Sequence, residues 1–266
     1  MRRGSPSPSS NATRSPAAAW NTPATRRAAP VQCRAMCEHY VARAAEPFRI
    51  DELWPFTEKL EHYGIAGFGW GAAWLTAEHG LASHRDVRAF RDDSGREAVG
   101  ATETTSLLVH LRRPSKLSTL DLPDTQPFLD PAGRYAFSHN GDLHNYRPWR
   151  ARYRAEGRIH GRADTEVGAR WLEDAWNPTE PVAHLLGALH DVFAGDANMA
   201  LLTADGTPYH YAGNDENPVF TFRLGRIRLA STGIYSLDRS LFRFVAPSAE
   251  DRRLIRTRST VALPPG

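Results

Sequence analysis

Two hydrophobic periods alternate along the chain once the first 36 residues are passed. A strand is expected in "CEHYVARA" (37–44). Asp51, an N-cap candidate, opens "DELWPFTEKLEHY", and Gly64 is the expected stop of that helix. "GFGWGAAWL" (67–75) and "TSLLVHLR" (105–112) read as buried strands, and "RYAFSHNG" (134–141) as a strand closed by an Asn-Gly turn. Helical spacing then places Val167, Trp171 and Ala175 on one face of 164–176. The same spacing gathers Val182, Leu185, Leu186 and Leu189 within 180–193. A hairpin is expected around Asp205-Gly206, a strand pair turning at Gly225, and a last strand in "LIRTRSTVAL" (254–263). Strands first, helices in the middle and strands last predict an α+β fold. Two sheets with helices packed on them fit this order better than a βαβ alternation.

The first 36 residues break the pattern. They are rich in Ser, Pro, Ala and Arg and lack the apolar periodicity that would offset ordering entropy, so a disordered leader is expected. Residues 1–35 hold six of the 33 basic residues and none of the 30 acids, which leaves 36–266 near −3. The overall basicity therefore belongs to the leader, and no nucleic-acid partner follows from it. Arg replaces Lys almost throughout, with only Lys59 and Lys116 remaining, as in proteins of GC-rich genomes. Upstream sequence translated from such a genome has this composition, so a misassigned start is favoured over a transit peptide or propeptide. No apolar run approaches the roughly 18 residues of a membrane span, and a cytoplasmic protein of one domain, 37–266, is expected.

Only three Met and two Cys occur in the chain, yet Met36 and Cys37 are adjacent. Cys33 lies too near Cys37 to staple anything, and no CxxC or HExxH suggests zinc. An N-terminal Cys, by contrast, unites a nucleophile and a base, because its α-amine titrates at about 7.7–8.0. That chemistry requires Cys37 to carry a free amine. A buried structural thiol is the alternative.

Other motifs divide between this site and simpler roles. "GFGWGA" offers Gly67, Gly69 and Ala72 as a loose GxGxxA, but the expected helix precedes it and a strand follows. That order is inverted for a dinucleotide fingerprint, and close backbone approach in a sheet is the better reading. His139, Asp142 and His144 in "HNGDLH" lack a complete metal-ligand set. "SHNGD" supplies the Asn140 amide and the Gly141 N–H as oxyanion donors, or else a plain hairpin turn. Arg112 in "HLRRPS" can fork onto a carboxylate, and Asp164 in "RADTEV" can accept an ammonium or start its helix.

Taken in order, Met36-Cys37, "HYGIAGFGWG", "HLRRPS", "FSHNGDLHN" and "RADTE" resemble the class II glutamine amidotransferases of the N-terminal-nucleophile hydrolase superfamily. The resemblance covers roughly 36–240 and is nearest the stand-alone members. It implies a four-layer αββα sandwich without cofactor or metal. Cys37 would be nucleophile and, through its amine, base; Asn140 and Gly141 would hold the oxyanion. Arg112 and Ser115 would bind the substrate carboxylate and Asp164 its ammonium. Tyr63 stands where the family usually has Arg, and Arg113-Pro114-Ser115 departs from its usual aromatic-or-Arg, Ala, Thr. The implied reaction is glutamine hydrolysis through a γ-glutamyl thioester, with ammonia passing to any separate accepting enzyme. The alternatives are a hydrolase of a larger γ-glutamyl compound, as in thiol-histidine biosynthesis, and a non-catalytic scaffold subunit.

Overall fold

A computed structural model describes residues 37–114, 117–234 and 242–264. The expected leader and Ser115 lie outside the described residues, which all fall within one unit spanning Arg34–Gly266. Among the described residues, twelve strands form two antiparallel sheets. The larger sheet contains β1 (Glu38–Arg49), β2 (Trp70–Leu75), β3 (Leu81–Asp86), β4 (Glu103–Leu111), β9 (Val219–Leu224), β10 (Ile227–Thr232) and β11 (Glu250–Leu254). Its order is β11-β9-β10-β1-β4-β2-β3. The smaller sheet contains β5 (Phe128–Leu129), β6 (Tyr135–Leu143), β7 (Gly195–Thr203), β8 (Pro208–Ala212) and β12 (Ser259–Ala262), ordered β12-β8-β7-β6-β5. Helices α1 (Trp54–Gly64), α2 (Gly95–Gly100) and α6 (Phe242–Val245) belong with the larger sheet, and α3 (Tyr146–Ala155), α4 (Asp164–Ala175) and α5 (Val182–Phe193) with the smaller.

Strand alternation divides the interior into three cores. Tyr40, Ala42, Leu107 and Val109 face α1 and α6, where Phe56, Leu60 and Phe242 meet them. Phe137, Met199 and Leu201 face α4 and α5 through Val167, Leu172, Leu186 and Leu189. Val41, Leu108, Ala136, Ala200, Leu202 and Ala230 point the other way and seal the sheets face to face. The layers are therefore helix, sheet, sheet, helix, as the αββα expectation has it. No helix among the described residues is long and apolar enough to cross a membrane.

Several details differ from the sequence reading. The helix expected from Asp51 begins with a 3₁₀ turn at Ile50–Leu53, and Asp51 does not cap it. Both Asp51 oxygens are taken instead by Arg49, at 3.1 and 2.5 Å. Ile65, not Gly64, ends α1 in the left-handed region with φ 55°. Glycine is needed at 64 for space, since a Cβ there would lie 2.6 Å from Glu38 Cγ. "GFGWGA", by contrast, is as expected: its glycines lead into the β2–β3 hairpin without a helix, and a Cβ on Gly71 would meet the Gln126 carbonyl oxygen at 2.3 Å. The final segment is two strands in two sheets. The chain crosses between them at Arg258, whose φ is 60° and whose N–H bonds the Ala212 carbonyl. Helix α3, in "YRPWRARYRA", escaped the pattern because five arginine and proline residues dilute its apolar face; Pro148 falls in its first turn, where no N–H donor is needed.

The interlayer is apolar only at one end. Toward Cys37 the positions that alternate with the helix-facing residues become His39, His110, Ser138, Asn140, Asn198 and His210, all buried. His39 reaches across the sheets, its Nδ1 2.9 Å from Ser138 Oγ and its ring 4.6 Å from that of His210. Burial holds His39 well below the ordinary histidine range, with His210, His110 and His139 adding to the effect. Burial likewise brings His110 to about 3, helped by Arg112 and His139, and His210 to about 3. Between about pH 6.5 and 3 the unfolded chain binds protons that these folded imidazoles refuse, so stability falls as pH falls. Each contributes a slope of about 1.4 kcal/mol per pH unit within that window. Urea midpoints should therefore drop steadily from pH 7 to 5, and His110→Met should flatten the slope by about one proton. A pH-independent midpoint over this range would contradict the assignment.

Candidate active site

Cys37 immediately precedes β1 and continues its alternation into the interlayer, as Arg112 does beyond the paired end of β4. The pairing of His39 with His110 fixes the two strands in that register. Cys37, Arg112, Gly141 and Asp164 line one cavity of about 420 Å³. Its wall also includes Arg113, Asp124, Gln126, His139, Arg147 and Arg162.

Cys37 is half-buried and free. Its Sγ accepts the Arg113 N–H at 3.4 Å and donates weakly to the Arg113 carbonyl at 3.7 Å. No side-chain base among the described residues hydrogen-bonds to it. Burial pushes the thiol up to about 11, against the lowering effects of the Arg113 main chain and the Arg112 charge. Such a thiol is almost wholly protonated at neutral pH and needs a base to become a nucleophile.

Arg112 is buried, and the segment following it holds its guanidinium. One Nη1 donates to the Asp121 carbonyl at 3.4 Å and to Thr125 Oγ1 at 3.3 Å, while Nη2 donates to the Thr119 carbonyl. A guanidinium has five N–H donors, so an Nη2–H and the Nε–H remain for an anion. Asp164 opens α4 but caps it only locally, with Oδ1 accepting the Thr165 N–H at 3.0 Å. Its Oδ2 accepts the Leu143 N–H at 2.6 Å and ties the helix start to the end of β6.

Asn140 and Gly141 do not make a turn. Strand β6 runs through them, pairing Asn140 with Asn198 and Gly141 with Ala197. Gly141 sits at φ 136°, and a Cβ there would fall 1.5 Å from the Asp196 carbonyl oxygen. Asn140 projects into the polar end of the interlayer, fully buried, and neither amide atom has a hydrogen-bond partner among the described residues. It does not line the cavity, whereas Gly141 does. Of the remaining "HNGDLH" residues, His139 is buried against α4, with Nδ1 3.2 Å from Thr165 Oγ1. His144 is exposed. Among the described residues the one group close enough to share a metal is His84, Asp86 and Asp93, away from this cavity. Arg88 already bridges its two acids at 2.8 and 2.6 Å.

The sequence reading missed the strap from 119 to 126 that assembles the site. Asp121 and Thr125 hold Arg112. Asp124 Oδ1 accepts the Arg162 and Ala163 N–H groups at 2.5 and 2.6 Å, just before Asp164. Gln126 grips the His139 main chain, accepting its N–H at 2.6 Å and donating to its carbonyl at 3.1 Å, and also reaches Thr165 Oγ1 at 3.2 Å. "DLPDTQP" has neither helical nor strand period, so nothing in the pattern singles these residues out.

Residues 115–228 match a family model described as a glutamine amidotransferase domain. No curated protein matches the chain. Among solved structures, the chain is similar to the allosteric regulatory enzyme of purine biosynthesis, with a TM-score of 0.63 at 14% identity over 85% of this chain and 48% of that one. It is also similar to glutamine phosphoribosylpyrophosphate amidotransferase from B. subtilis complexed with ADP and GMP: 0.64, 15%, 85% and 49% respectively. This chain thus spans about half the length of both. A glutamine aminotransferase class-II domain protein from Silicibacter pomeroyi gives a TM-score of 0.50 at 18% identity, over 85% of this chain and 99% of that one. At these identities the likeness is one of fold.

Two outcomes follow from this geometry. Gly141→Ala, which places a methyl group on the Asp196 carbonyl in a backbone conformation hostile to side chains, should lower stability by about 3 kcal/mol or more in denaturant unfolding. With Cys37 in peptide linkage, its site-resolved alkylation by iodoacetamide should rise about tenfold per pH unit from 7 to 10 without a plateau. A plateau near pH 8 would mean that burial does not control the thiol.

Proposed function

We propose that this chain is an amidohydrolase of the class II glutamine amidotransferase type, working from a Cys37 whose α-amine is free. The observation that carries the reading is the placement of Sγ. It shares a cavity with Arg112, Gly141 and Asp164, and among the described residues it touches no side-chain base. An amine on the same residue supplies that base. The matched glutamine amidotransferase segment and the shared fold support the same assignment.

In this mechanism Sγ attacks the carboxamide carbon of glutamine as its proton passes to the Cys37 amine. The Gly141 N–H and the Asn140 amide stabilise the oxyanion, the latter by reaching the cavity from the interlayer. The amine returns the proton to the departing ammonia, leaving a γ-glutamyl thioester, and water converts this to glutamate and the free thiol. Arg112, with Ser115, binds the carboxylate of the substrate, and Asp164 its ammonium. No cofactor enters. Ammonia is released or passed to a separate accepting enzyme, and the expected setting is the cytoplasm.

A larger γ-glutamyl amide is the second reading, favoured by the cavity itself. Its 420 Å³ exceeds what one small amino acid fills and lies in the range of roughly 300–1,000 Å³ that holds drug-sized ligands. Arg113 and Arg147 also line it and offer guanidinium groups to further anionic groups. A panel of γ-glutamyl amides run against glutamine separates the two readings.

The deciding experiment compares the protein beginning at Cys37 with the same protein retaining residues 1–36. Glutamate release should fall at least about 100-fold when the amine stays acylated, the range expected for losing a general base. Cys37→Ala should abolish release while leaving the fold intact. Undiminished turnover with the amine blocked would refute the mechanism, and no turnover by either form would favour a scaffold.

A further inference from the structure

Asp124 lines the same cavity as Arg112 and Asp164, although only 1% of its surface is exposed. Its two oxygens are used unequally. Oδ1 takes the Arg162 and Ala163 N–H groups, while Oδ2 is buried with no hydrogen-bond partner among the described residues. A carboxylate oxygen desolvated without a partner is destabilising, and a folded protein that keeps one does so for a reason such as a functional role or a bound water or ion. Arg112 is near enough to feel the charge of Asp124, but its guanidinium hydrogen bonds go to Asp121, Thr125 and Thr119. The Asp124 charge is thus partly balanced while its second oxygen remains open.

The ligand chemistry follows from counting donors. A primary ammonium carries three N–H groups and seeks about three acceptors. Both Asp164 oxygens already accept main-chain N–H groups, from Leu143 and Thr165. Asp164 alone is therefore an incomplete cradle for a desolvated cation. Asp124 is locked by its two main-chain bonds to the residues immediately preceding Asp164, so the two carboxylates are held as one unit.

We propose that Asp124 Oδ2 is a second acceptor for the substrate's α-ammonium, making Asp124 a specificity-determining residue beside Asp164. This rests on the reading of the cavity as a γ-glutamyl amide site. It narrows the substrate class to amides with a free amine next to the bound carboxylate, and it disfavours analogues without that amine.

The test uses the protein with the Cys37 amine free and two substrates, glutamine and glutaramate, which lacks the α-amine. Asp124→Asn keeps an oxygen for the Arg162 and Ala163 N–H groups and replaces Oδ2 with a donor. For this variant kcat/KM on glutamine should drop about 100-fold, chiefly through KM, while glutaramate turnover stays within about threefold. An equal loss on both substrates, or no loss on either, overturns the proposal by assigning Asp124 to structure alone. Should Asp124→Asn fail to fold, Asp164→Asn decides. If Asp124 shares the cation, that variant still prefers glutamine to glutaramate by about tenfold or more, and complete loss of preference overturns the proposal. A wild type active on neither substrate overturns the functional reading, and this inference with it, whereas an active wild type with unaltered variants overturns only the inference.

Discussion

The site depends on a single constraint, the alternation of side chains across two sheets packed face to face. Val41 and Leu108 commit their strands to an apolar seam, and alternation then turns His39, His110 and the flanking Cys37 and Arg112 toward the same layer. A one-residue slip of β1 against β4 would send Cys37 toward the helices and Val41 out of the seam. The apolar end therefore fixes the register, and the polar end inherits its geometry. Desolvation is the consequence. It neutralises the imidazoles and keeps the thiol protonated.

Alternation cannot by itself bring Arg112 and Asp164 together, because one follows a strand of the larger sheet and the other opens a helix packed on the smaller. The strap from 119 to 126 does this with main-chain and amide bonds. Arg112 is held at Asp121 and Thr125, the approach to Asp164 at Asp124, and β6 together with the start of α4 at Gln126. Removing an anchoring bond should disturb both charged groups, whereas a substitution that keeps the accepting oxygen should not. Residues near 124 and 126 should thus couple energetically to both, more than their distance in sequence suggests.

The sequence displayed the parts of this design that have a period. The α4 and α5 faces, the Asp205-Gly206 hairpin and the β9–β10 turn at Gly225 all appear where their patterns put them. Patterns failed where a local rule met a tertiary demand. Asn140-Gly141 has the composition of a turn, yet it lies within β6, where glycine is required because the Asp196 carbonyl leaves no room for a side chain. Gly64 looks like a helix stop but makes way for Glu38. The strap was illegible for a different reason. Its bonds are long-range and mostly to main chain, and such bonds leave no mark on side-chain periodicity.

The energetics of the thiol constrain any chemistry proposed for it. If Cys37 carries the free amine of the proposed mechanism, a thiol pushed up to about 11 by burial would be a weaker acid than an ordinary α-ammonium, and proton transfer from it would be uphill. In the proposed mechanism a preformed ion pair would then be a minor species, and deprotonation would accompany attack on the amide. The developing negative charge would move from sulfur to the amide oxygen, toward the Gly141 N–H and the Asn140 amide proposed to receive it. On this account the polar end of the interlayer is more than tolerated. In the proposed mechanism the Asn140 amide, unpartnered among the described residues, would find its partner in the oxyanion of the transition state.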